Sequence, residues 1–265
     1  MRELERHPVY DTPALARALR TDGAVVVPAA IPRALCAEAR AAIDSLSPEH
    51  WDEVHAAPSG FGTCRQLDRY LCVFNRDPFW LQFLDRPGFI ELAELVLGGN
   101  CHVVGQTAWR SHPGYRGDDL HVDHQPLTWP EGGIRDDVEI PIGMFTLHFH
   151  LNDVLAETGP TRIIPGSHRA GRVPGLNETD WNGREPVAVT ASPGDCLIFR
   201  SDVWHAGSQN RSRQTRYLLQ VHYGRREMAQ HFSPYLEWRF SREVLAAASR
   251  RQKRLLGDHE PGPYD

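Results

Sequence analysis

The spacing of hydrophobic positions changes near residue 100, and with it the kind of element the chain predicts. Before that point apolar residues recur at helical intervals. Thr12 to Arg20 reads as an amphipathic helix, and Gly23-Ala24-Val25-Val26-Val27 is a β-branched run that predicts a short buried strand. Ile31-Pro32 opens a second helix, with Leu35, Ala39, Ala42 and Ile43 at helical spacing and an end near Leu46. A third helix is predicted from Pro87 to Leu97, stopped by Gly98-Gly99.

From Cys101 onward the runs are short, β-rich and separated by Gly, Pro and Asn turns. Strands are predicted at Cys101–Trp109, Pro141–Leu151, Pro160–Ile164, Pro186–Thr190, Asp195–Phe199 and Gln214–Tyr223. This pattern predicts a mainly β fold, a jelly roll or related barrel with α-helices packed outside. The chain is read as one domain over 1–265, with a mixed N-terminal part to about 100, a β core over 101–223 and a helical tail over 224–265. Two long polar connections, Gln125 to Arg135 with Trp129 and Ala170 to Glu185 with Trp181, have the length expected of lids. The tail from Ser241 to Leu256 is predicted to be one basic helix with a solvated outer face.

Composition narrows the function classes. With 265 residues, 41% hydrophobic and 24% charged, the chain can bury a sizeable core, and disordered or fibrous classes lose their support. A net charge of -5 argues against a surface that neutralises phosphates, so neither nucleic acid nor an anionic membrane is an expected partner. No apolar leader or membrane-length run is present, and the expected location is the cytoplasm. The five cysteines, Cys36, Cys64, Cys72, Cys101 and Cys196, are dispersed and form no C-x-x-C pair, so they read as reduced, packed thiols. Asn177-Glu178-Thr179 and Asn210-Arg211-Ser212 match a glycosylation sequon, a match read as accidental.

Fourteen histidines raise the question of metal chemistry. In His121-Val122-Asp123, residues i and i+2 of an extended segment point to one side, where an imidazole and a carboxylate can reach one ion. His205, in Asp202-Val203-Trp204-His205-Ala206-Gly207 just after an apolar strand, is the best third ligand. Two histidines and a carboxylate form a facial triad that leaves positions on Fe(II) open. Arg216 follows His205 on the next strand, where its guanidinium can enter the same cavity and pair with a distal carboxylate.

In this order the motifs resemble the phytanoyl-CoA dioxygenase (PhyH-like) family of Fe(II)/2-oxoglutarate-dependent oxygenases. Leu120-His121-Val122-Asp123-His124 is similar to its H-x-D segment. Gly159-Pro160-Thr161-Arg162-Ile163-Ile164-Pro165-Gly166-Ser167-His168 is similar to its N-G-x-L-x-x-x-P-G-S-H segment, with Thr158 and Thr161 departing from the Asn and Leu. Gly194-Asp195-Cys196-Leu197-Ile198-Phe199, with His205 and Asn210-Arg211-Ser212, resembles the G-D-x-x-x-F…H…N-x-S block. The resemblance runs from about Val25 to Tyr223 and implies a double-stranded β-helix, cupin-like fold. It implies Fe(II) held by His121, Asp123 and His205, with 2-oxoglutarate and oxygen as cosubstrates and Arg216 on the far carboxylate. Gln106, Thr107 and His148 are expected near the cosubstrate, and Trp109, Arg110 and His150 near the substrate. His150 reads equally as a satisfied barrel histidine. Gly207, with Ser208 next, stands where the family commonly has a polar contact two residues past the distal histidine, and His124, His168 and His222 receive no site role.

The expected activity is oxidation of a C–H bond of a small molecule, most simply hydroxylation, in natural-product chemistry, with release of succinate and carbon dioxide. Asp123 disfavours halogenation, which the family couples to a small residue there. An acyl-CoA substrate and a non-oxidative cupin-like binding or isomerase role are the alternatives. The second has no use for a buried Arg216.

Overall fold

The structure is a computed structural model, and it describes residues 3–46, 66–124, 132–232 and 238–261. Strand β1 (Ala24–Val27) edges a six-stranded sheet with β2 (Leu67–Leu71), β3 (His102–Ser111), β4 (Met144–His150), β7 (Cys196–Arg200) and β9 (Arg216–Gly224). Their order is β1-β7-β4-β9-β3-β2. The second sheet has three strands ordered β6-β5-β8, namely β6 (Val187–Val189), β5 (Thr161–Ile163) and β8 (His205–Gly207). Every strand pairing within the two sheets is antiparallel. The fold is the expected mainly β jelly roll with flanking helices.

The large sheet is covered on both faces, which explains why β4 is buried at every position rather than alternating apolar with polar. Phe145, Leu147 and Phe149 point to the outer layer, where they join a core that includes Leu19, Val73, Trp80, Phe83, Phe89 and Leu255. Of the intervening residues, Met144 and His148 line a cavity between the sheets. Helices α1 (Thr12–Thr21), α2 (Arg33–Asp44) and α3 (Phe89–Leu97) supply the outer layer. Asp11 caps α1 by accepting the Ala14 N–H, and Leu15 and Leu19 form its buried face.

Each predicted helix and strand of the first 224 residues is present to within three residues at its ends. Two short strands, β2 and β8, were not anticipated. The predicted tail helix is two helices, α4 (Arg242–Ala247) and α5 (Arg250–Leu255). Extended backbone at Ala248 breaks the run, and Ser249 restarts it by capping the Gln252 N–H. Arg242, Arg250 and Arg251 are exposed, as expected of a solvated face, whereas Arg254 docks on the body of the fold. Arg254 pairs with Glu94 at 2.6 Å and donates to the carbonyls of Gly99 and Cys101.

Cys36, Cys72, Cys101 and Cys196 are free and buried, as expected, and Cys64 lies outside the described residues. Asn210 is fully buried. Its amide donates to the carbonyls of Ser111 and Gln214 and its oxygen accepts from Ser212, so this sequon is an internal turn lock. Among the described residues no helix is long and apolar enough to cross a membrane.

Candidate active site

His121 enters the site through an isolated antiparallel bridge to His205, made by reciprocal backbone hydrogen bonds of 2.9 and 3.0 Å. This bridge carries the long connection after β3 onto the edge of the small sheet. Asp123 follows at a bend, and one ligand atom from each of His121, Asp123 and His205 falls within 4.8 Å of the others. Both imidazoles are oriented by backbone. His121 Nδ1 lies 2.8 Å from the Asp119 carbonyl and His205 Nδ1 lies 3.0 Å from that of Val203. A carbonyl can only accept, so each Nδ1 carries the proton and each Nε2 presents a lone pair. His205 Nε2 lies 3.6 Å from Asp123 Oδ1. Two such nitrogens and a carboxylate fit a divalent iron.

Burial works to raise the Asp123 pKa, but His205, and then His222 and His121, outweigh it and hold the carboxyl well below the usual range. His205 is shifted the other way: burial opposes protonation, and Asp123 more than offsets it.

The turn from Pro165 to His168 secures His205 from behind. Gly166 adopts φ 81°, and Ser167 Oγ accepts the Trp204 N–H at 2.7 Å. Trp204 also packs edge-on against Trp181, with Arg172 over both rings. The Ala170–Glu185 connection, expected as a lid, is therefore pinned to the back of β8 and lines no part of the cavity. Trp129 and residues 125–131 of the other connection lie outside the described residues.

The cavity has a volume of about 290 Å³ and contains the triad, Thr107, Trp109, His148 and Arg216 on its walls. Arg216 is 5% exposed. It donates through Nη1 to the Gly159 carbonyl and through Nη2 to Thr161 Oγ1, the latter at 3.0 Å. Its Nε has no hydrogen-bond partner among the described residues. Burial lowers its pKa to about 10, against the opposing pull of Tyr115 and Asp118, so it stays charged at neutral pH. A buried cation held by neutral oxygens calls for an anion.

Three of the expected site residues are not brought to the cavity. Strand alternation turns Thr107 and Trp109 inward and their neighbours outward. Gln106 instead donates to the Trp80 carbonyl in the outer layer, and Arg110 is engaged by Asp68, Asp44 and Tyr70. His150 shares the inward face of β4 but lies past the cavity's end, fully buried, with neither ring nitrogen partnered among the described residues. His124 stands outside the triad, its backbone N–H bonded to Ser201.

Other residues meet at the cavity without having been singled out by the sequence. Gln220 and His222 repeat at period two after Arg216 on β9, a spacing that could have revealed them. Gln220 bridges Trp109 and His148. His222 Nδ1 lies 2.9 Å from Thr146 Oγ1, whose hydroxyl reaches Asp123 Oδ2 at 3.5 Å. Arg69 comes from β2, with its guanidinium carbon 5.0 Å from the Trp109 ring centre.

The profile of the phytanoyl-CoA dioxygenase (PhyH) family matches residues 19–218. The chain belongs to this family. It is an Fe(II)/2-oxoglutarate-dependent dioxygenase, and several curated relatives are named as dioxygenases. Dioxygenase aneA of Aspergillus aculeatus is 28% identical over 216 residues, 76% of this chain and 68% of the relative. Dioxygenase af480 of Aspergillus fumigatus is 26% identical over 259 residues, 90% of this chain and 74% of the relative. Among solved structures, HygX from Streptomyces hygroscopicus with nickel and 2-oxoglutarate superposes with a TM-score of 0.63 at 16% identity, over 82% of this chain and 88% of that one. The α-ketoglutarate-dependent epimerase SnoN from nogalamycin biosynthesis gives 0.60 at 18%, over 81% and 80%. These two show that this dioxygenase shares their fold.

Proposed function

We propose that this dioxygenase oxidises a C–H bond of a small, non-CoA molecule, with hydroxylation as the outcome. His121, Asp123 and His205 are the residues that would hold Fe(II). Iron bound there supplies the redox chemistry that couples decarboxylation of 2-oxoglutarate, with release of succinate and carbon dioxide, to oxidation of the substrate. The chain's own contribution is to bind, orient and exclude water. Arg216, braced by Gly159 and Thr161, receives the far carboxylate of 2-oxoglutarate, and Thr107 and His148 border the cosubstrate. Trp109 faces the substrate.

The observation that carries this reading is the buried, charged Arg216 in the same cavity as the triad, with no carboxylate in an ion pair among the described residues. A non-oxidative cupin-like binder has no need of it. The small-molecule reading is favoured over an acyl-CoA by the lining: among the described residues the cavity holds two arginines, Arg69 and Arg216, rather than a cluster suited to three phosphates. Arg110 and Arg135, which could have formed such a cluster, pair with Asp68 and Asp137. Solved relatives of this fold have been crystallised with hygromycin B and with nogalamycin RO, small molecules free of CoA.

The test has two stages. Anaerobic addition of Fe(II) and 2-oxoglutarate is expected to produce a visible charge-transfer band, absent when either is left out. Succinate release is then measured against panels of small natural products and of acyl-CoA thioesters. Stimulation by thioesters alone would overturn the substrate class, and absence of the band would overturn the site.

A further inference from the structure

Trp109, Gln220 and His148 stand on three neighbouring strands, β3, β9 and β4, and all three line the cavity. The indole N–H can only donate, and it donates to Gln220 Oε1 at 2.7 Å. That contact fixes which end of the amide is oxygen. The other end is an NH2 group, which also only donates, and it lies 2.7 Å from His148 Nε2. His148 Nε2 must therefore accept. A ring that accepts at Nε2 is neutral and carries its proton on Nδ1. Burial, helped by His150 and Arg216, also holds this histidine well below its ordinary pKa.

The consequence is a buried N–H donor of known position. His148 Nδ1 has no hydrogen-bond partner among the described residues, and buried donors are nearly always paired. Arg216, which lines the same cavity, also has an orphaned donor, its Nε, among the described residues. A cavity whose lining residues hold two donors without acceptors, one of them on a cation, has the chemistry to receive a carboxylate.

We infer that Trp109 and Gln220 are positioning residues that lock His148 in the Nδ1–H form, so that it donates a hydrogen bond to a carboxylate oxygen of 2-oxoglutarate. The inference rests on the reading that Arg216 receives this cosubstrate in the same cavity. It assigns a task to Gln220 and gives His148 a definite tautomer. Inside the protein the His148 ring packs perpendicular to Phe199, with ring centres 4.7 Å apart, an apolar neighbour and not a hydrogen-bond partner.

The test uses the full chain loaded with Zn(II), which is diamagnetic and redox-silent. Proton–nitrogen correlation spectra of the histidine rings, with and without 2-oxoglutarate, are expected to show His148 with its proton on Nδ1 and a shift of that proton on saturation. Glu has no donor to offer, so Gln220→Glu is expected to move the proton to Nε2. Its added charge repels the cosubstrate by itself, and affinity is therefore read on His148 instead. His148→Phe is expected to weaken 2-oxoglutarate binding by about tenfold or more, the loss of one charge-assisted hydrogen bond. His148→Asn, whose amide N–H falls near the Nδ1 position, is expected to recover most of that loss, and both variants should retain their zinc. A wild-type proton on Nε2, a proton unmoved by saturating 2-oxoglutarate, or equal affinity of wild type and His148→Phe would each sink the inference and leave the functional reading standing. Failure of the wild type to bind 2-oxoglutarate at all would overturn both.

Discussion

Ser167 Oγ accepts the backbone N–H of Trp204 at 2.7 Å, and both residues are fully buried. This one contact fastens the P-G-S-H turn to the residue that precedes His205, so the turn sets where β8 begins and hence where the imidazole sits. Beyond the turn, the Trp181 and Arg172 packing supports the same tryptophan.

Ser167→Ala is accordingly expected to strand a buried N–H and cost about 1–3 kcal/mol of stability. Because the strain falls next to His205, iron retention after dialysis should drop along with the denaturation midpoint. Urea melts and metal analysis on the same samples check this. A loss of stability with iron binding intact would mean that the turn supports the fold alone.

Arg216→Ala removes the buried cation that is proposed to meet the far carboxylate, and leaves that carboxylate unpaired in a partly dry cavity. Affinity for 2-oxoglutarate should fall by about 2–5 kcal/mol, while metal content is unchanged. Calorimetric titration on the Zn(II) form measures both. Unchanged affinity would transfer the role to another residue, with Arg69 the cation nearest at hand on the cavity wall.

Asp123→Ala is expected to lose iron and abolish succinate formation, since it deletes the anionic member of the triad, whereas His124→Ala should keep both. His124 is tied to Ser201 by its backbone and stands outside the group of converging atoms. Iron content per chain decides between them. Iron lost from His124→Ala and kept by Asp123→Ala would mean that the H-x-D register is misassigned.

The strands of the β core were legible because apolar runs bounded by Gly and Pro read plainly, and the H-x-D and distal His were legible because they recur in order with the P-G-S-H and G-D turns. What escaped the sequence did so for physical reasons. In β2, Leu67-Asp68-Arg69-Tyr70-Leu71 puts a charge on each face, Asp68 toward Arg110 and Arg69 toward the cavity, so it lacks the apolar alternation of a half-buried strand. Strand β8 has three residues and no period to read. Gln106 and Thr107 cannot both face one cavity, since adjacent residues of a strand point oppositely, and only the structure says which one does. The tail was read as one helix because its composition is helical throughout, and the break depends on Ser249 preferring to cap rather than continue.

Acid should destabilise the fold through its buried histidines. Burial lowers the pKa of His150 from 6.5 to about 3, with Arg216 adding to the effect. Below pH 6.5 the unfolded chain takes up a proton at this position that the folded chain refuses, so the stability from a neutral His150 is complete above pH 6.5 and erodes as pH falls toward the folded value. The slope is about 1.4 kcal/mol per pH unit for each such group, hence about 2 kcal/mol from His150 between pH 6.5 and 5. His222, lowered to about 4 chiefly by burial, adds a similar amount over the same interval. Urea titrations of the metal-free protein at pH 7, 6 and 5 measure the total, and His150→Phe, which cannot titrate, should flatten the dependence by the His150 share. A variant whose stability falls with pH as steeply as the wild type would show that His150 is hydrated or paired in solution, and that its ring does not sit in the dry space beside Arg216.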